Sequence, residues 1–115
     1  MANEYRAVAR ELPISAQKTR LVVDLVRGKD VVDALDLLKF VPNKAAKPVY
    51  KVVYSAMINA EENFGTSRAG LYVYKIFADE GRTLKRGRFG GRGRYKPRLK
   101  RYSHVTVILR EREEN

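Results

Sequence analysis

Half of the twenty residues from Arg82 to Arg101 (RTLKRGRFGGRGRYKPRLKR) are arginine or lysine, and none is acidic. A stretch this charged is no place for a core. Its larger apolar side chains, Leu84, Phe89, Tyr95 and Leu99, are too few to bury one another. The whole chain carries 24 basic and 13 acidic residues. Setting these ten aside leaves 14 basic against 13 acidic, so nearly all of the net +11 sits in one fifth of the protein. Such a segment repels itself in water unless a polyanion neutralises it. Nucleic-acid phosphates fit best, because releasing their condensed counterions rewards clustered Lys and Arg.

The remainder has enough apolar character for one core. At 115 residues the chain reads as a single domain. Outside the basic stretch about 95 residues are left, sufficient for a modest interior. With 44% hydrophobic and 32% charged residues, the composition is that of a globular protein. There is no cysteine, which excludes disulfides, thiolate chemistry and Cys-ligated metal. No apolar run approaches the ~20 residues of a membrane span. The start, MANEYRAVAREL, lacks the apolar centre of a signal peptide, and Glu4 and Glu11 are foreign to organelle transit peptides. A soluble intracellular protein is expected.

Three helices and three strands follow from the periodicities. Tyr5 to Arg10 alternates and reads as a short strand ended by Pro13. Ser15 is placed to cap a helix in which Leu21, Val22, Leu25 and Val26 recur at helical spacing and so predict the buried stripe. Gly28 provides its left-handed stop. A second helix starts at Asp30 and buries Val31, Ala34, Leu35 and Leu38, with Pro42 closing it. A third runs from Asn43 to about Asn63. Ala45, Val49, Val52, Val53, Ala56 and Ala60 trace its apolar stripe, and its small residues allow close approach to a sheet. Gly65 to Gly70 is a loop.

Period 3.6 then gives way to period 2. Leu71 to Ala78 (LYVYKIFA) and Tyr102 to Leu109 (YSHVTVIL) read as strands flanking the basic stretch. The economical arrangement is an antiparallel pair whose strands run on beyond the domain as a long hairpin. Its turn is expected among Gly87, Gly90, Gly91 and Gly93. About ten residues per arm give a reach of ~30 Å. Pro97, lacking an amide donor, predicts a missing ladder bond or a bulge. The fold class is therefore α+β: three helices packed on a small antiparallel sheet of about three strands, with a long hairpin protruding at about residues 80–103.

Three blocks of sequence carry a family resemblance. They are Ser15–Lys29 (SAQKTRLVVDLVRGK), the helix from Lys44-Ala45-Ala46 through Ser55–Glu61 (SAMINAE), and the series Asp79-Glu80-Gly81, Leu84-Lys85-Arg86, Gly93-Arg94, Lys100-Arg101 and Ser103–Val107. In this order and spacing the chain resembles, over nearly its full length, the family of the twenty-second protein of the large ribosomal subunit in the bacterial numbering series. The resemblance implies a structural role in that subunit: binding of 23S-type ribosomal RNA and support of subunit assembly. It implies a base on the outer face near the peptide exit, and a hairpin running inward so that its tip helps line the exit tunnel. Implied partners are large-subunit ribosomal RNA, neighbouring ribosomal proteins and the nascent polypeptide, in the cytoplasm within the ribosome. No membrane, small-molecule substrate or cofactor is implied. The chain departs from the family pattern at the tip, where Phe89, Gly90 and Gly91 replace a proline and an Ala-Arg pair.

Candidate site residues follow. Arg82, Arg86, Arg88, Arg92, Arg94, Arg98 and Arg101 can grip phosphate bidentately and stack on bases. Lys85, Lys96 and Lys100 act as point charges. Gln17, Lys18 and Arg20, at the start of the family-like helix, join the RNA-binding set, with a plain exposed face as the equal alternative. Arg88, Phe89, Gly90, Gly91 and Arg92 form the tunnel tip. Phe89 and Tyr95 stack on splayed bases, contact the peptide path or pair across the hairpin.

Other functions find little support. His104 is the single histidine and sits in a strand, and no Ser nucleophile has a partner. Asp79 and Glu80 are adjacent in a strand and so point apart, serving the bend before Gly81. No metal-ligand spacing occurs. Gly87-Arg88-Phe89-Gly90 matches the GxxG of KH domains, but strands flank it where helices are needed. A helix-turn-helix over Ser15–Phe40 would put Asp30, Asp33 and Asp36 into a DNA groove.

Overall fold

The computed structural model describes residues 3–89 and 95–112, with side chains described for 3–82 and 101–112. The chain runs β1 (Glu4–Leu12), α1 (Ala16–Val26), α2 (Val31–Phe40), α3 (Ala46–Phe64), a 3-10 turn (Arg68–Gly70), β2 (Leu71–Phe89) and β3 (Tyr95–Glu111). The three strands form one antiparallel sheet in the order β1-β3-β2. Three helices on a three-stranded sheet is the expected α+β class.

Local chemistry sets the helix ends. The Ser15 hydroxyl accepts from the Lys18 amide at 3.4 Å, opening α1. Gly28, just past its end, takes φ 82°, a left-handed conformation that side chains resist. Gly65 caps α3 in the same way at φ 66°, its amide donating to Glu61 O at 3.1 Å. Pro48 lies in the first turn of α3, where its missing donor costs nothing.

The core lies between the helices and one face of the sheet. Val22, Val23, Val26, Val31, Val49, Val53, Ala56, Met57 and Ala60 meet Leu71, Val73, Ile76, Val105, Val107 and Leu109, all essentially closed to solvent. The expected stripes of α2 and α3 are buried throughout. That of α1 needs correcting. Leu21 and Leu25 are exposed, at 63% and 44%, and Ala16, Thr19 and Val23 are buried in their place alongside Val22 and Val26. The stripe is rotated because α1 turns a small-residue face to the sheet. The Thr19 hydroxyl lies 3.0 Å from Ser15 O and 3.1 Å from the Ser103 hydroxyl on β3, so this buried polar pair is satisfied.

β2 and β3 run on together past the end of β1. Their ladder continues from Glu80–Ser103 at the margin of the sheet to Phe89–Tyr95. The molecule measures 69 × 25 × 20 Å along its principal axes, as a small base with a long ribbon requires. Gly87 is not part of the turn: it pairs with Pro97 in mid-ladder. Register is unbroken around Pro97, so the strand does not bulge there. The expected turn residues Gly90, Gly91 and Gly93 lie outside the described residues.

Candidate nucleic-acid interface

β3 is the strand that organises the interface. Every register shift in the sheet falls in one of its partners: between Ala9 and Leu12 in β1, and between Val73 and Lys75 and between Glu80 and Thr83 in β2. Bulges of this kind twist and re-aim a strand. Two of them lie where three strands become two, so they set the direction of the ribbon. Gly81 occupies one. A Cβ there would stand 3.0 Å from His104 Nε2 and 3.2 Å from the Tyr102 carbonyl carbon and oxygen. Glycine lets β2 approach β3 this closely without displacing His104 or the Tyr102 carbonyl.

The end of β1 is tied to the same point. Glu11 has φ 54°, a left-handed conformation that costs a non-glycine residue about 1 kcal/mol or more. Its amide donates to His104 Nδ1 at 2.9 Å, which requires that nitrogen to carry no proton. Its carboxylate lies 3.5 Å from the guanidinium of Arg82, which also stands 5.4 Å above the Tyr102 ring. His104 therefore locks the root of the ribbon, and Arg82 is partly neutralised within the protein.

Beyond the root, register alone sorts the basic residues. Directly opposed residues in an antiparallel ladder share a face, and faces alternate. The rungs Leu84–Lys100, Arg86–Arg98 and Arg88–Lys96 share one face. Thr83–Arg101, Lys85–Leu99, Gly87–Pro97 and Phe89–Tyr95 share the other. Five of the six positions on the first face are cationic, and two rungs set like charges opposite each other. Such pairs destabilise a ribbon by roughly 0.2–1 kcal/mol each. Phe89 and Tyr95 are register partners, the arrangement expected of a cross-strand aromatic pair. Arg92 and Arg94, like Gly90 and Gly91, lie outside the described residues.

The three α1 residues separate. Gln17 lines a cleft at the ribbon root together with Ser15, Glu80, Gly81, Arg101 and Tyr102, so the structure brings Gln17 and Arg101 together. Lys18 is exposed nearby. Arg20 has structural work that its sequence position did not reveal. Its Nε donates to Ala78 O at 3.0 Å, and two helical turns on Arg27 Nη2 donates to Ile76 O at 2.8 Å. β2 is an edge strand, and these arginines cover carbonyls that it would otherwise leave open. A basic residue every seventh position on a helix lying along an edge strand is the signal that could have shown it.

Charges elsewhere are largely balanced in place. Arg110 bonds Glu4 and lies 3.5 Å over the Tyr74 ring, and Glu4 raises its pKa above the ordinary arginine value. Arg112 bonds Asp30 and stands 4.5 Å from the Tyr72 ring centre. Among the described residues no three His, Asp or Glu side chains gather as a metal site. No helix among them is long and apolar enough to cross a membrane.

A small α+β base, a root locked by bulges and a ribbon with a cationic face are thus built on one continuous strand. The family model of ribosomal protein L22p/L17e matches residues 7–110, which takes in every helix and the whole ribbon. The chain belongs to this ribosomal-protein family. Membership carries the coarse function: a structural, RNA-binding protein of the large ribosomal subunit, at work in translation. The role of this family is structural and not enzymatic.

Proposed function

We propose that the chain acts as a single ribosomal domain over residues 1–115 and binds large-subunit ribosomal RNA chiefly through the ribbon at about residues 80–103. The carrying observation is the ladder from Thr83–Arg101 to Phe89–Tyr95, which holds like-charged rungs clear of the core. Within the protein alone this arrangement is unfavourable. Phosphates passing along the ribbon reverse the sign of that energy.

In this reading Arg86, Arg88, Arg98, Lys96 and Lys100 meet phosphates along one face, and Lys85, Arg82 and Arg101 meet them from the other face and the root. Arg92 and Arg94 extend the charge towards the tip. Gln17 and Lys18 join at the root cleft, while Arg20, held through Nε, offers its remaining nitrogens. The tip, Arg88 to Arg92, helps line the nascent-peptide exit tunnel and meets the nascent chain. Seating the ribbon in RNA supports subunit assembly beside neighbouring ribosomal proteins, in the cytoplasm.

The test is salt dependence. If about half of the ten ribbon charges displace counterions, log affinity for a ribosomal RNA fragment falls against log salt with a slope of roughly −4. A slope near zero would refute phosphate-led binding. Tunnel lining is tested by cross-linking from Arg88 in assembled subunits to a stalled nascent chain. Cross-links to ribosomal RNA alone would remove the tip from the tunnel wall.

A further inference from the structure

The side of the sheet that faces away from the helices has no layer covering it. Alternation along β1 buries Tyr5 and leaves Ala7 and Ala9 against the core, so Arg6, Val8 and Arg10 stand on the open side. Across the sheet the register builds rows there. Phe77 of β2, Thr106 of β3 and Val8 of β1 form one row. Lys75, Ile108 and Arg6 form the next. Phe77 and Val8 are 39% and 36% exposed, while Thr106 between them is buried.

The charges around this row favour an anion. Arg6 and Arg10 flank Val8 two residues to either side, and neither makes a hydrogen bond or ion pair among the described residues. Lys75 stands 5.3 Å from the Tyr74 ring centre, its ammonium exposed. Three acidic groups share the open side, and one of them, Glu11, is paired with Arg82 at 3.5 Å. Glu4 is bonded to Arg110. Asp79 pairs in register with His104 at the ribbon end. The balance beside Phe77 is positive.

β3 joins this patch to the ribbon. It carries no register shift, so its even-numbered residues keep one face from Thr106 through His104 and Tyr102 to Lys100, Arg98 and Lys96. That is the face holding the cationic rungs. From the Arg86–Arg98 rung to the Phe77–Thr106 row is eight residues of β3, roughly 27 Å of track.

We propose that the open sheet face is a second RNA site, in which an unpaired base stacks on Phe77 while its flanking phosphates pair with Arg6 and Arg10. The site rests on the reading of the ribbon as the primary RNA element and continues its charged face. Stacking on exposed aromatics is how open sheets take single-stranded RNA, and duplex RNA would present no base face to Phe77. A polypeptide strand is less suited, since Phe77 is flanked by the unpaired cations Arg6 and Arg10 and by Lys75.

The experiment titrates the full chain, isotope-labelled, with octauridylate and follows backbone amides and binding at several salt concentrations. Shifts are expected at Arg6, Val8, Arg10, Phe77 and Thr106. Phe77→Ala is expected to weaken binding about tenfold, the lower part of the range for one stacked base, with the salt slope unchanged. Arg6→Ala with Arg10→Ala is expected to flatten the slope by about 1.4, the value for two phosphates on a single strand. Shifts confined to the ribbon, or a Phe77→Ala variant that binds like the parent, overturn the proposal. Comparing parent and variant amide spectra without RNA separates loss of binding from loss of fold. Replacing Arg86, Arg88 and Arg98 by Ala separates the two readings. Face shifts that persist while affinity is unchanged would sink the ribbon as the main element and leave the face standing.

Discussion

Arg20 shows how one side chain can serve base and interface together. The sequence places it beside Gln17 and Lys18 at a helix start, which suggests a contact with RNA. The structure first spends its Nε on the carbonyl of Ala78, 3.0 Å away on an edge strand. A guanidinium is a planar fork, so fixing one nitrogen orients the others. Arg20→Ala is expected to lower stability by about 1 kcal/mol, the net worth of one such hydrogen bond, read as a shift of the urea midpoint. It should also flatten the salt slope for ribosomal RNA by about 0.9 if its outer nitrogens hold one phosphate. An unchanged midpoint would mean that the edge-strand bond contributes nothing. Gly81 illustrates the opposite limit of sequence reading. Its place before the ribbon marked a bend, but the reason for glycine is the 3.2 Å approach of the Tyr102 carbonyl, a contact between distant segments.

Among the elements, α2 and α3 were legible and α1 was misread by about one position on the helical wheel. The stripes of α2 and α3 follow helical spacing in Val, Leu and Ala, with Met57 buried beside that of α3. In α1 hydrophobicity pointed to Leu21 and Leu25, while packing chose Ala16, Thr19 and Val23. Thr19 was invisible as a core residue because its burial depends on the Ser103 hydroxyl, 84 positions along the chain. The small side chains of α3 admit a sharp test. Ala56 is fully buried within the core. Ala56→Leu should cost ~1–3 kcal/mol by overpacking, measured by chemical denaturation. A neutral result would mean that the helix can move away from the sheet freely. The two strands flanking the basic stretch were also legible from period 2. The bulges were not, since a register shift depends on which residues the partner strand presents. With them was hidden the sorting of the cations onto one face: Arg86, Arg98, Arg88 and Lys96 are scattered in sequence and gathered only by pairing.

At the scale of the whole molecule, two parts with opposite energetics share one strand. The base is held by apolar burial. The ribbon is two strands without a covering layer, marginal in water even when neutral. Its like-charge rungs subtract further, by an amount that falls as salt screens them over a Debye length of about 10 Å at 0.1 M. RNA supplies the missing counter-charge, so the order of the ribbon should be linked to binding while the order of the base should not. Hydrogen exchange on the full chain tests this linkage. In the free protein, amides of Thr83–Phe89 and Tyr95–Arg101 should exchange much faster than those of Val105, Val107 and Leu109, although all belong to the same two strands. Raising salt should slow the ribbon amides modestly, and assembly into the large subunit should protect them strongly. Protection of β3 that is uniform from Leu99 to Leu109 in the free chain would show the ribbon to be stable by itself. The cationic face would then be a surface feature of a rigid body and not an element whose folding is completed by RNA.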